Sequence, residues 1–141
     1  MKFSAIILGL STLALATHAV AISFDITVVE ASKSGSSLDS ALGPYKRQLV
    51  EMGYRSGKII SRQSLSAALN EKKDFRVKGN ISAEITPTSV ENGFINFDFK
   101  MVKGTKTIVR LSYRIPDGIH TIIVGPSEKK KKYIVIIRAT E

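Results

Sequence analysis

From Ile22 to Glu30 apolar and polar residues alternate. Phe24, Ile26 and Val28 fall on one side and Asp25, Thr27 and Val29 on the other, the period of a half-buried β-strand. Ser32, Ser34, Gly35, Ser36 and Ser37 then make a polar connection. Leu38, Leu42, Tyr45, Leu49 and Met52 recur at spacings of four, three, four and three, which lines them up on one stripe of a helix. The period predicts a helix from about Ser40 to Met52, closed by Gly53. Pro44 fits a first helical turn, so either the stable helix starts near Pro44 after a separate short turn or a longer one kinks there. This stripe is expected to cover an apolar sheet face.

Tyr54 to Ser61 reads as a second strand, giving a β-α-β opening. Leu65, Ala68 and Leu69 share a helical face, so Arg62 to Lys73 is expected to hold a short helix, although Ser64 and Ser66 weaken it. Ile81, Ala83 and Ile85 alternate up to Pro87. After the turn dipeptide Asn92-Gly93, Ile95, Phe97, Phe99 and Met101 face one way and Asn96, Asp98 and Lys100 the other. A three-residue loop, Val102-Lys103-Gly104, would pair Phe97 with Val109, Ile95 with Leu111 and Asn96 with Arg110. That register matches apolar to apolar on both strands, whereas a one-residue slip would set apolar against charged positions. Pro116-Asp117-Gly118 is another loop. Ile119 to Val124 and Tyr133 to Thr140 are further strands, apolar on both faces, so at least one should be central and doubly covered. Gly125-Pro126-Ser127 separates them, with the lysines at the tip. The expected fold class is α+β: a mainly antiparallel β-sheet or sandwich of about seven strands with one principal helix, its β-α-β start followed by a β-meander.

The amino-terminal residues follow a different pattern. Lys2 precedes an apolar run from Phe3 to Ala16, then Thr17 and His18, then Ala19, Val20 and Ala21. This is the three-part layout of a secretory signal peptide with small residues at its cleavage end. The apolar run is shorter than the roughly 18 to 20 residues a membrane-spanning helix needs. Residues 1–21 are therefore expected to be a signal peptide cut after Ala21, and 22–141 a single domain exported to the periplasm or medium. The chain has no cysteine, which excludes thiol nucleophiles, disulfides, thiolate zinc sites and a lipidated thiol. Its core must rest on apolar burial and backbone pairing.

The net charge is +9, with 21 Lys and Arg against 12 Asp and Glu. It is unevenly spread: Ile22 to Asp98 has 10 basic and 9 acidic residues, Phe99 to Glu141 has 10 and 3. Lys129, Lys130, Lys131 and Lys132 form the densest run, and Lys100, Lys106, Arg110 and Arg114 share a parity opposite the expected core face. Together they are the candidate contact for a polyanion, such as anionic lipid, polysaccharide or nucleic acid. A lysine-rich hairpin tip also keeps a sheet edge soluble, which is its plainer role. No aromatic residues are interleaved on that face, which argues against nucleic acid.

Catalytic chemistry has little to stand on. His120 is the only histidine in 22–141, with Asp117 close by at a turn, and a surface histidine without a special role is the expectation. The acidic residues, including Asp25, Glu30, Asp39, Glu51, Asp74, Glu84 and Asp98, are scattered, mostly at turns and outward strand positions. No phosphate-cradling glycine loop joins a strand to a helix. No catalytic, metal-ligating or cofactor-binding residues are assigned, and a hydrolase using carboxylates brought together by folding is a minor alternative.

The leader, the strand Phe24 to Val28, the helix around Ser40 to Met52, the Tyr54 to Ser64 segment and the closing Val124-Gly125 with Ile134 to Ile137 resemble small exported bacterial proteins of unassigned activity. The resemblance implies a bacterial envelope location and a non-enzymatic default; the export signal, joined to the empty catalytic inventory, makes an accessory or adaptor protein the leading expectation. Its expected partner is another envelope protein or complex, or an anionic lipid or polysaccharide.

Overall fold

The computed structural model describes residues 20–141. The expected signal peptide lies almost entirely outside the described residues, and Ala21 is the first residue of a strand. Along the chain run β1 (Ala21–Ser32), a 3-10 helix (Ser40–Tyr45), α1 (Lys46–Glu51), β2 (Ser56–Ala68), β3 (Lys73–Lys78), β4 (Ile81–Glu91), β5 (Phe94–Lys103), β6 (Lys106–Pro116), β7 (His120–Glu128) and β8 (Lys131–Thr140). The strands make two four-stranded sheets, ordered β2-β1-β8-β7 and β3-β4-β5-β6, with every ladder antiparallel.

With β8 returning to pair with β1, this is the strand order of an eight-strand up-and-down barrel opened at two seams, β2/β3 and β6/β7. Flattening a barrel at two seams brings its halves face to face, so the interior fills with side chains instead of enclosing a ligand. Phe24 of β1 meets Phe97 of β5 edge to face at 5.5 Å, and Phe97 stacks on Tyr113 at 5.4 Å. Ile26, Val28, Phe99, Met101, Val135 and Ile137 complete this layer. A second cluster lies on the opposite side of the first sheet, where Leu42 and Leu49 cover Val29, Ala31, Ile134 and Ile136. β1 and β8 are therefore covered on both faces, as their apolar runs require.

Several expectations are corrected. The described chain has eight strands, not about seven. The opening is not a parallel β-α-β unit, because β2 runs antiparallel beside β1, with Phe24 opposite Leu65 and Ile22 opposite Ala67. The helical segment lies on that pair as a cover and does not cross over it. It is split at Pro44 and Tyr45 into a 3-10 turn and a six-residue α-helix, the first of the two alternatives weighed. Leu42 and Leu49 are buried, but Met52 at the stripe's end is 38% exposed. There is no helix over Arg62 to Ala68. Pairing with β1 extends β2 to Ala68, and cross-strand burial of Leu65 and Ala67 outweighs the helical spacing.

The β5–β6 register also differs. Phe97 faces Tyr113, Ile95 faces Ile115 and Asn96 faces Arg114, four residues beyond the expected partners. The turn is Gly104-Thr105, with Lys103 opposite Lys106, and a bulge between Met101 and Val102 absorbs the odd residue. Because the displacement is even, the core and solvent faces of Phe97 and Asn96 are those the alternation predicts. Gly125-Pro126-Ser127 is an irregularity inside β7, not its end. β7 and β8 belong to the sheet of β1 and do not continue the meander.

Candidate functional site

The last residue pair of the β7–β8 hairpin is Glu128 with Lys131, which leaves Lys129 and Lys130 as a two-residue loop. Both have positive φ, 49° and 65°. Two successive left-handed residues are the tight turn that suits a twisted hairpin, and they normally call for Asn-Gly because a Cβ is strained there. The chain obeys this at Asn92-Gly93, with φ of 52° and 78°. Among the described residues, every other positive φ belongs to asparagine or glycine; Lys129 and Lys130 alone depart from this rule.

Strand alternation then divides the lysine run. Tyr133, Val135 and Ile137 point into the sandwich, so Lys131 points the same way, and its Nζ lies 2.9 Å from Glu30 Oε1. Glu30 is only 6% exposed. It shares the parity of Phe24, Ile26 and Val28, and so it faces inward at the open end of the sandwich, not outward as expected. Lys78 of β3, in the facing sheet, donates to Glu30 Oε2 at 2.8 Å, and Lys58 Nζ stands 3.9 Å from Oε1. The Lys78 ammonium is also 5.6 Å from the Tyr133 ring centre. The Glu30 pKa is lowered to about 2 by the hydrogen bonds from Lys78 and Lys131, against the opposing effect of burial. The same bond raises the pKa of Lys78. The cluster clasps the two sheets together, and it pairs Lys131 with Glu30 although that lysine side chain stays 52% exposed.

Lys130, in the loop, and Lys132, on the opposite face of β8, form no ion pair with Glu30. With Lys33 from the β1–helix loop they border a groove of about 430 Å³, whose other walls include Ser34, Ser127 and the largely buried Tyr54. No acidic side chain lines it. Burial raises the Tyr54 pKa, so its hydroxyl is protonated at neutral pH. Among the described residues, Lys33, Lys129, Lys130 and Lys132 form no ion pair.

The other expected basic residues are arranged differently. Lys100 and Arg110 are cross-strand neighbours on the outer face of the second sheet, but Glu84 Oε2 lies 3.9 Å from Lys100 Nζ, and Asp98, two residues along β5 on the same face, accepts from Ser112 at 2.7 Å. Arg114 packs its guanidinium 4.5 Å above the Phe94 ring. Lys106 leaves this stripe, because the bulge shifts it to the parity of Met101 and opposite Lys103. It sits instead at the β5–β6 turn, which Lys103 ties to Glu128 beside the lysine hairpin at 2.9 Å. The predicted single basic face is thus divided: Lys100, Arg110 and Arg114 are interleaved with carboxylates and an aromatic ring on one sheet. Lys106, Lys129, Lys130 and Lys132 gather at one end of the sandwich.

Sequence reasoning missed Lys33, Lys58 and Lys78. Nothing local marks them, since their partners come from other strands. Glu30 was readable from its parity. His120 Nε2 lies 2.7 Å from Gln48 Oε1 and its ring meets Tyr45 edge-on at 4.8 Å, so it braces β7 against α1. Asp117 turns elsewhere, accepting the backbone N–H of Glu141. Among the described residues no group of three or more His, Cys, Asp or Glu side chains could hold a metal ion, and no helix is long and apolar enough to cross a membrane.

No family model and no curated protein matches this chain. Among solved structures, it is similar to the T2SS secretin XcpQ from Pseudomonas aeruginosa, known by cryo-EM, at a TM-score of 0.38 and 11% identity. The match covers 85% of this chain and 56% of that one, so the chain spans little more than half its length. A likeness this slight transfers no property to the present chain.

Proposed function

We propose that this chain is an exported, non-enzymatic accessory protein of a bacterial envelope, and that it works by presenting the lysine-rich end of its sandwich to an anionic envelope component. Export is supported by the leader pattern of Lys2, the apolar run and Ala19 to Ala21. A role in surface contact is supported by an interior packed with Phe24, Phe97, Phe99 and their neighbours. Glu30, Glu84 and Glu128 are engaged by lysines.

The observation that carries the proposal is the pair of left-handed lysines. A hairpin that needed only to turn would be more stable with Asn-Gly, and local conformations held against propensity concentrate where a protein makes its contacts. The test is co-sedimentation with phosphatidylglycerol vesicles, using phosphatidylcholine as the control, for the mature chain and for Lys129→Asn/Lys130→Gly. The double variant should bind the anionic vesicles several-fold more weakly, yet gain about 1 kcal/mol of stability, or about 4 °C in Tm. Equal binding by both proteins refutes the proposal.

A further inference from the structure

We infer that the groove between Lys33, Lys130 and Lys132 is a binding site for a multiply charged phosphate group. This deepens the proposed function, because it gives the lysine-rich end a defined ligand chemistry. The three lysines come from two separate segments and line one concavity of about 430 Å³ with no acidic side chain in its walls. In this respect the groove differs from the neighbouring cleft, of about 440 Å³, where Glu30 and Asp39 offset Lys58 and Lys131. It also differs from the cleft on the second sheet, where Glu84 and Asp98 offset Lys100 and Arg110. A single carboxylate would leave two of the three lysines uncompensated. A phosphomonoester or pyrophosphate carries the charge to match them and has enough acceptor oxygens for all three.

The hydroxyl donors fit the same ligand. Ser34, Ser127 and Tyr54 border the groove, and burial raises the Tyr54 pKa. The lysine stems and the tyrosine ring supply the walls, so the charged ends are held at the rim.

The site is also fixed before any ligand arrives. The loop bearing Lys33 is tied down by Ser34 N–H donating to Ser32 Oγ at 3.2 Å, by Ser56 Oγ donating to Ser34 O at 2.7 Å, and by Arg55 N–H donating to Ser32 O at 2.9 Å. Gly53, whose φ of 93° is one that glycine adopts without strain, ends the helical segment beside the Lys33 stem. On the other side, the left-handed turn fixes where Lys130 enters the groove. Holding charged groups in place in advance lowers the ordering cost of binding.

Inorganic pyrophosphate titrated calorimetrically into the mature chain at low salt tests the site. Saturable one-to-one binding is expected, weakened about tenfold by Lys33→Ser and by Lys132→Ser and little changed by Arg114→Ser on the opposite sheet. Thermal midpoints confirm that each variant folds. Absence of saturable binding, or equal loss in all three variants, overturns the site. A second arm uses phosphatidic acid vesicles, whose headgroup is a phosphomonoester: competition by pyrophosphate identifies the lipid headgroup as a source of the phosphate. Pyrophosphate binding without vesicle binding keeps the groove, assigns it a soluble phosphate, and counts against the envelope-surface role. Vesicle binding that neither pyrophosphate nor Lys33→Ser affects overturns the groove and leaves the surface role standing.

Discussion

Replacing Glu30 with glutamine tests the charged clasp between the sheets. A folded-state pKa of about 2, against an ordinary value of 4.5, corresponds to about 3 kcal/mol if the whole shift acts on folding. Lys58, Lys78 and Lys131 are 65%, 47% and 52% exposed along their side chains, so water screens the attraction, and we expect about 1–2 kcal/mol. Because the folded pKa is depressed, this stability is fully present above about pH 4.5 and is lost as the pH falls towards 2. Seen from Lys78, whose pKa is raised above 10.5, the same bridge is present below that value and weakens above it. Urea unfolding of the wild type and Glu30→Gln at pH 7, 4.5, 3 and 2 should therefore show a gap of about 1–2 kcal/mol at neutrality that closes in acid, where protonated Glu30 resembles glutamine. A gap that persists unchanged at pH 2, or no gap at pH 7, refutes the reasoning.

Two further substitutions test packing. Gly125→Ala would place a Cβ 2.7 Å from the Tyr133 carbonyl oxygen and 3.0 Å from Met101 Sδ; a cost of about 1–3 kcal/mol is expected, and an unchanged thermal midpoint would contradict the close approach of β7. Leu49→Ala removes a fully buried side chain from the cluster under the helical segment and should cost about 2–4 kcal/mol. Hydrogen exchange should then accelerate across Ser40 to Met52 while β4 and β5 stay protected, and equal acceleration everywhere would show that the two clusters do not behave separately.

Much of the fold was legible because a period of two survives errors in pairing. The faces of β5 were read correctly although its partners were four positions away, since an even displacement preserves parity. Lys106 was misplaced for the complementary reason: a bulge changes parity, and no residue near Met101 announces it. Over Arg62 to Leu69 the local pattern supports two structures, because Leu65 and Leu69 recur in both a helix and a strand. Pairing with β1 decides between them, and pairing is not local. The helix stripe was visible, and so was the interruption at Pro44.

The lysine-rich end illustrates both limits. Its place between two apolar strands was legible, although Gly125-Pro126-Ser127 proved to lie within β7 and not to end it. The inward turn of Lys131 was hidden because β8 is apolar on both faces and offers no polar side to set its parity. Lys33 and Lys78 come from distant segments, so the groove exists only once β1 pairs with β8, and the clasp only once the sheets are stacked.

The most direct test of where the protein makes its contact is amide chemical-shift mapping of the mature chain as phosphatidylglycerol bicelles are added at low salt. The account predicts perturbations centred on Lys33, Ser34, Tyr54 and Ser127 to Lys132, with Lys100, Arg110 and Arg114 little affected. Shifts centred on those three residues, or no shifts at all, would contradict it.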